Sequence, residues 1–144
     1  MSKSLAIDSA KATQKVQPNL LPCKIAYNGP VKAESRYWST QAEADGSKTT
    51  YFRGRKLQGK DVPLPDGYSG VVLQKTDRTI VEAPQPREDQ DDMSDLDEPP
   101  QQVSIIEQIG TFNSIAVWDH ESIPESGQNP YLKAVEEWTR MAQA

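Results

Sequence analysis

The one histidine of the chain, His120, stands in Trp118-Asp119-His120-Glu121, and a histidine between carboxylates is the kind of group that ligates a metal or moves a proton. Zinc needs three or four protein ligands, and the chain offers no second histidine and one cysteine, Cys23. Neighbouring side chains on a strand point to opposite faces, so Asp119 and His120 diverge. His120 is expected as a surface turn residue. Cys23 is a nucleophile in principle, but it occupies an inward position of an alternating segment, where a buried structural cysteine is the commoner case. Two-metal phosphoryl chemistry takes carboxylates fixed by ordered elements. Here Glu88, Asp89, Asp91, Asp92, Asp95, Asp97 and Glu98 crowd into a proline-rich stretch that fixes nothing. No GxxxxGK[ST] loop and no glycine-rich dinucleotide fingerprint occurs. No catalytic, metal-binding or cofactor-binding residue is therefore assigned, and the chain is expected not to be an enzyme by itself.

A second chemical feature is basic. Lys48, Arg53, Arg55, Lys56 and Lys60 fall together with no acid before Asp61, and Tyr51 and Phe52 are interleaved. Arginines and aromatics suit a protein contact, which is the first reading of this stretch. They also suit nucleic acid, so the alternative is an independent small β-barrel nucleic-acid-binding protein.

Composition bounds the elements that must position these residues. Of 144 residues, 35% are hydrophobic, 26% are charged and 11 are proline. Globular chains run nearer ~45–50% apolar, so part of this one is unfolded or its core is borrowed from another chain. There is no run of ~18 apolar residues to span a membrane, and MSKSLAIDSAKATQ lacks the apolar stretch of a secretion signal. A lone cysteine fits a reducing compartment. The net charge is −5, but removing Pro84–Val103 leaves 14 acids against 15 bases. That segment buries too little apolar surface to offset its ordering entropy and reads as a solvated linker.

Along the chain, residues 1–18 read as a flexible leader, 19–83 as a first β segment, 84–103 as the acidic disordered linker, and 104–144 as a second β segment with a C-terminal helix. Leu21, Cys23, Ile25 and Tyr27 alternate with polar residues as a half-buried strand does, ending at Asn28-Gly29-Pro30. Further strands are expected at Ser35–Ser39 and Thr49–Arg53, with Thr40–Lys48 as a polar hairpin loop and Gly54 as a bulge or close approach. Tyr68–Lys75 and Thr79–Ala83 suggest a hairpin across Thr76-Asp77-Arg78. Val103–Ile109 and Thr111–Trp118 suggest two strands broken at Gly110. Asn129 caps a helix that opens with Pro130 and repeats Leu132, Val135, Trp138 and Met141 every three residues. The fold class is mainly β, barrel or sandwich, with one terminal helix; its short strands leave open edges unless they close on themselves or on a partner.

At these blocks the chain resembles a known family. Leu20-Leu21-Pro22-Cys23-Lys24-Ile25-Ala26-Tyr27-Asn28-Gly29-Pro30, then Tyr51-Phe52-Arg53-Gly54-Arg55-Lys56-Leu57-Gln58-Gly59, then Val62 to Val72, Phe112 to Trp118 and Ile123-Pro124 are similar in order and spacing to the C subunit of the eukaryotic type 2 ribonuclease H. Val31–Lys48 matches no motif of that family. The resemblance implies a non-catalytic subunit whose strands interweave with a B subunit in a shared triple-barrel assembly. That assembly would carry a catalytic A subunit, which uses Mg and cleaves RNA in RNA–DNA hybrids and at single ribonucleotides in duplex DNA. A nuclear location, with roles in ribonucleotide excision repair and DNA replication, follows from the same resemblance. Carried onto this chain, it makes Phe52, Arg53, Gly54, Arg55 and Leu57 candidates for a partner interface, with Arg53 and Arg55 projecting to one face. Leu21, Cys23, Ile25, Tyr27 and Trp118 become candidates for a shared core.

Overall fold

The structure, a computed structural model, describes residues 4–10, 14–32, 35–82 and 100–144. Eight strands and one helix follow in order: β1 (Leu5–Asp8), β2 (Asn19–Leu20), β3 (Gln41–Ala42), β4 (Lys48–Phe52), β5 (Arg55–Pro63), β6 (Gly70–Glu82), β7 (Gln101–Phe112), β8 (Ser114–His120) and α1 (Pro130–Gln143). The described chain is thus mainly β with a single C-terminal helix. It divides into two units, each built from separate stretches of sequence: residues 1–14 with 71–111, and 15–70 with 112–144.

The first unit is a three-stranded sheet in the order β1-β7-β6. β1 runs parallel to β7, with Ala6 opposite Ile105 and Ile7 opposite Ile106, so a strand stands where the sequence suggests a loose leader. Its pattern is too short to show a period, and its ladder partner lies far along the chain. β6 is one continuous strand and not a hairpin. Thr76-Asp77-Arg78 has turn-like chemistry, but the Thr76 hydroxyl donates to the Ile105 carbonyl at 2.6 Å, and Arg78 pairs with Asp8 at 3.2 Å. Both side chains therefore serve the sheet. The break between β7 and β8 falls at Asn113, and Gly110 lies inside β7. Of the acidic segment, residues 84–99 lie outside the described residues and Gln101–Val103 belongs to β7.

The second unit is a five-stranded sheet in the order β2-β8-β5-β4-β3, with β2 parallel to β8 and the rest antiparallel. β4 and β5 meet in a two-residue turn, Arg53-Gly54, with φ of 51° and 76°. Two successive left-handed residues match the right-handed twist of the flanking strands. Gly54 adopts that region freely, whereas Arg53 gives up roughly 1–2 kcal/mol to do so. Gly54 is thus a turn residue and not a bulge.

The core sits on one face of this sheet. Leu57 (β5), Ala116 and Trp118 (β8) are buried together, with Leu21, Trp38 and Phe52 packed against them. Trp38 meets Trp118 edge-on with ring centroids 5.6 Å apart, an arrangement that aromatic quadrupoles favour. The Trp118 indole N–H is satisfied by Asn19 Oδ1 at 3.0 Å. Gly59 lies opposite Trp118 in the ladder, and a Cβ there would come within 2.6 Å of Trp118 Cε3. The missing side chain is what lets the indole lie across β5. Val117 is buried on the opposite face, so Ile115-Ala116-Val117-Trp118 reads as an apolar run because both faces are covered.

Several expected strands differ. Only Asn19–Leu20 pairs in the first apolar block; Pro22 and Pro30 bring no N–H to a ladder, and Cys23, Ile25 and Tyr27 are exposed loop residues. Residues 35–38 turn and deliver Trp38 to the core, while β3 forms inside the stretch expected as loop. The helix starts as expected, with Asn129 Oδ1 accepting from the Tyr131 and Leu132 amides, each at 3.0 Å. Its apolar stripe does not stay on one face. Each step of three residues falls roughly 60° short of a full turn, so Met141 lies about half a turn from Leu132. Leu132 is fully buried, whereas Trp138 and Met141 are each 72% exposed.

Candidate functional site

The residues singled out for chemistry do not assemble into a reaction centre. His120 is the exposed last residue of β8, a strand terminus and not a turn. Its backbone N–H donates to Asp119 Oδ1 at 2.8 Å, and Asp119 Oδ2 accepts from Asn129 Nδ2 at 3.2 Å. Asp119 therefore ties β8 to the cap of α1. Among the described residues, no group of three or more His, Cys, Asp or Glu is placed to hold a metal. The carboxyl of Asp45 is held below its ordinary value of 3.8, chiefly by the Ser47 hydroxyl, which donates to it at 2.6 Å. That bond orders the β3–β4 loop.

The basic stretch is divided by the fold. Lys48 on β4 pairs with Asp61 on the adjacent β5 at 2.6 Å, so its charge is neutralised within the sheet. Leu57, an interface candidate from sequence, is 2% exposed and belongs to this chain's own core. Arg53 and Arg55 do not share a face by strand alternation, because Arg53 is in the turn and Arg55 opens β5. The turn nevertheless brings both to one cleft of about 200 Å³, lined also by Cys23, Lys24, Phe52, Leu57 and His120. Strand register explains the grouping: Phe52 is opposite Arg55 and Leu57 is opposite His120, while Arg55 and Leu57 are two apart on one strand. All four face the side that carries Trp118. The Arg53 guanidinium lies over the Phe52 ring, 5.2 Å from its centroid. A neighbouring cleft shares Cys23, Lys24 and His120 and extends past Asp119 to Tyr131.

Two apolar surfaces complete the picture. In the second unit, Leu64, Tyr68, Phe112, Ile115, Val135 and Trp138 line an apolar cleft of about 410 Å³ beside α1. Tyr68 donates its hydroxyl to the Ala142 carbonyl at 2.7 Å, which fixes one end of the helix against the sheet. In the first unit, Leu5, Ile7, Val71, Leu73, Ile80, Val81 and Ile109 are all at least 40% exposed, spread over both faces of the sheet since Ile80 and Val81 are neighbours on β6, and Val103 is the buried apolar side chain among its described residues. Sequence reasoning missed this surface: Leu5 and Ile7 lie in the stretch read as a leader, and an exposed and a buried strand residue look alike in an alternating pattern.

These features give a sheet protein with open apolar area and no reaction centre among its described residues. The family described as Ribonuclease H2 non-catalytic subunit (Ylr154p-like) matches residues 17–144. The chain belongs to this family. Among curated relatives, the C subunit of ribonuclease H2 from Bos taurus is 29% identical over 88% of this chain and 78% of its own length. The corresponding C subunit from Mus musculus is 25% identical over 81% of this chain and 73% of its own. An uncharacterized protein of Schizosaccharomyces pombe is 26% identical over 94% of this chain and 86% of its own. The family is one of non-catalytic subunits, and its match includes the β4–β5 turn, the core strand β8 and α1.

Proposed function

We propose that the chain is the C subunit of a ribonuclease H2 heterotrimer, pairing with a B subunit to scaffold the catalytic A subunit. The observation that supports this most directly is the exposure of most apolar side chains of the first unit. A three-stranded sheet whose Leu5, Ile7, Val71, Leu73 and Val81 stay exposed has no sufficient core of its own, and covering it with strands or side chains from another chain removes the deficit. A triple barrel shared with the B subunit meets that requirement and also closes the outer edge of β6. On this reading Leu21, Cys23, Ile25 and Tyr27 join the shared core, and Phe52 with Arg53, Gly54 and Arg55 lies at the rim of the contact with the partner subunits. Mg is held by acids of the A subunit. The complex acts in the nucleus on RNA–DNA hybrids and on single ribonucleotides in duplex DNA, in ribonucleotide excision and replication.

The test is reconstitution. Co-expressed with its B and A partners, the chain should become soluble and the complex should nick a duplex containing one ribonucleotide. Leaving this chain out should abolish the nicking. A chain that melts alone as a stable monomer in one sharp transition, or that cleaves hybrids unaided, contradicts the proposal.

A further inference from the structure

We propose that the cleft at the β4–β5 turn binds the phosphate backbone of a nucleic acid. Four groups that donate to anions converge there: Lys24, Arg53, Arg55 and the His120 imidazole. No carboxylate lines that cleft, and among the described residues Lys48 is the cation of the basic stretch that has an ion-pair partner. In a chain of net charge −5, leaving these cations side by side and unneutralised sets up a repulsion that an incoming anion relieves. The floor of the cleft is apolar, made by Phe52 and Leu57, so charge-assisted bonds formed over it are less screened than in open water. Arginine presents a planar fork of donors that matches phosphate oxygens in pairs. The Arg53 fork lies over the Phe52 ring, and the turn and the Phe52–Arg55 ladder pair fix the backbone positions from which both arginines reach the cleft.

Two details separate a polymer backbone from a single free anion. The cleft does not end at His120; it continues through Cys23 and Lys24 into a larger one of about 670 Å³, which passes the Asp119 carboxylate, itself bonded to Asn129 Nδ2, and reaches the exposed ring of Tyr131. A run of cations followed by an exposed aromatic suits a strand of nucleotides, with phosphates at one end and a stacked base or sugar at the other. Nor is the helix N-terminus the anion site, since the Tyr131 and Leu132 amides are already taken by Asn129. The choice of nucleic acid over an acidic protein rests on the reading of the chain as part of a ribonuclease assembly.

The experiment measures binding of the reconstituted complex to a fluorescein-labelled RNA–DNA hybrid, in EDTA so that no cleavage occurs, by anisotropy over a salt series. Arg53→Ala, Arg55→Ala and Lys24→Ala should each weaken binding and each lower the slope of log K against log salt by about 1, as loss of one phosphate contact does. Lys133→Ala and Arg140→Ala, cations of α1 that line neither cleft, should leave the slope unchanged. Tyr131→Ala should weaken binding without changing the slope. Co-elution of the partner subunits, read on the same samples, tests the scaffold role separately. Unchanged affinity and slope in the arginine and lysine variants overturns the proposal. So does loss of co-elution with hybrid affinity retained, which would assign the cleft to a partner's carboxylates.

Discussion

Trp118 shows how one residue organises the second unit. It fills the core, bonds to Asn19 and lies over Gly59, so three separated stretches depend on one indole. Trp118→Ala in the assembled complex should lower stability by about 3–5 kcal/mol, read as a shift in the urea midpoint. Gly59→Ala brings a Cβ within 2.6 Å of the indole and 2.8 Å of the Val117 carbonyl, and should cost about 1–3 kcal/mol. Combined with Trp118→Leu, the cost of Gly59→Ala should shrink, a non-additivity that a double-mutant cycle detects. Trp118 is recognisable as core from its neighbours Ile115 to Val117. The role of Gly59 is not, because the side chain it makes room for is on a strand far along the chain. Leu57 misleads in the opposite sense: it lies in an arginine-rich motif that reads as surface, yet its parity on β5 turns it inward. At Asp45, where the folded-state carboxyl is held low, the contribution to stability is present above the ordinary pKa of 3.8 and lost as pH falls through the depressed value. The protection of the Ser47 amide relative to its intrinsic exchange rate should therefore fall at acid pH in the parent and be low at all pH values in Asp45→Ala.

Elements governed by local chemistry are the ones most legible in sequence. The helix announces itself through Asn129 and Pro130, and β4 through Thr49, Thr50, Tyr51 and Phe52, since capping and β-branching act within a few residues. Asn129→Ala should remove the acceptor for two amides and the tie to Asp119, costing about 1 kcal/mol and visible as fraying of α1 by NMR. Elements made by distant pairing are hard to read. β1 exists because β7 accepts it, and β6 runs straight through Thr76-Asp77-Arg78 because β7 lies beside it. Turn-forming residues describe what a segment tolerates; a neighbouring ladder decides what it does.

At the scale of the whole molecule, the buried apolar residues are few beside the exposed ones among the described residues, and the sheet of the first unit is the clearest case. Ile7→Glu with Val81→Glu should improve solubility of the isolated chain while weakening co-purification of the B partner at least tenfold, a change of about 1.4 kcal/mol or more in pairing. Retained pairing would place the contact elsewhere. That this surface is uncovered is legible in composition as a low apolar fraction, but not which strands bear it.

The order of strands in the five-stranded sheet has a bearing on biogenesis. β8 lies between β2 and β5, yet it is made last of the strands, and Leu57 waits about 60 residues for its partner His120, a long loop to close. Until β8 leaves the ribosome, the hairpin of β4 and β5 has one raw flank and Leu57 no lid. Nascent chains halted before Ser114 should thus be protease-sensitive and sticky, and emergence of Ser114–His120, rather than arrival of a partner, should set the moment at which this unit closes.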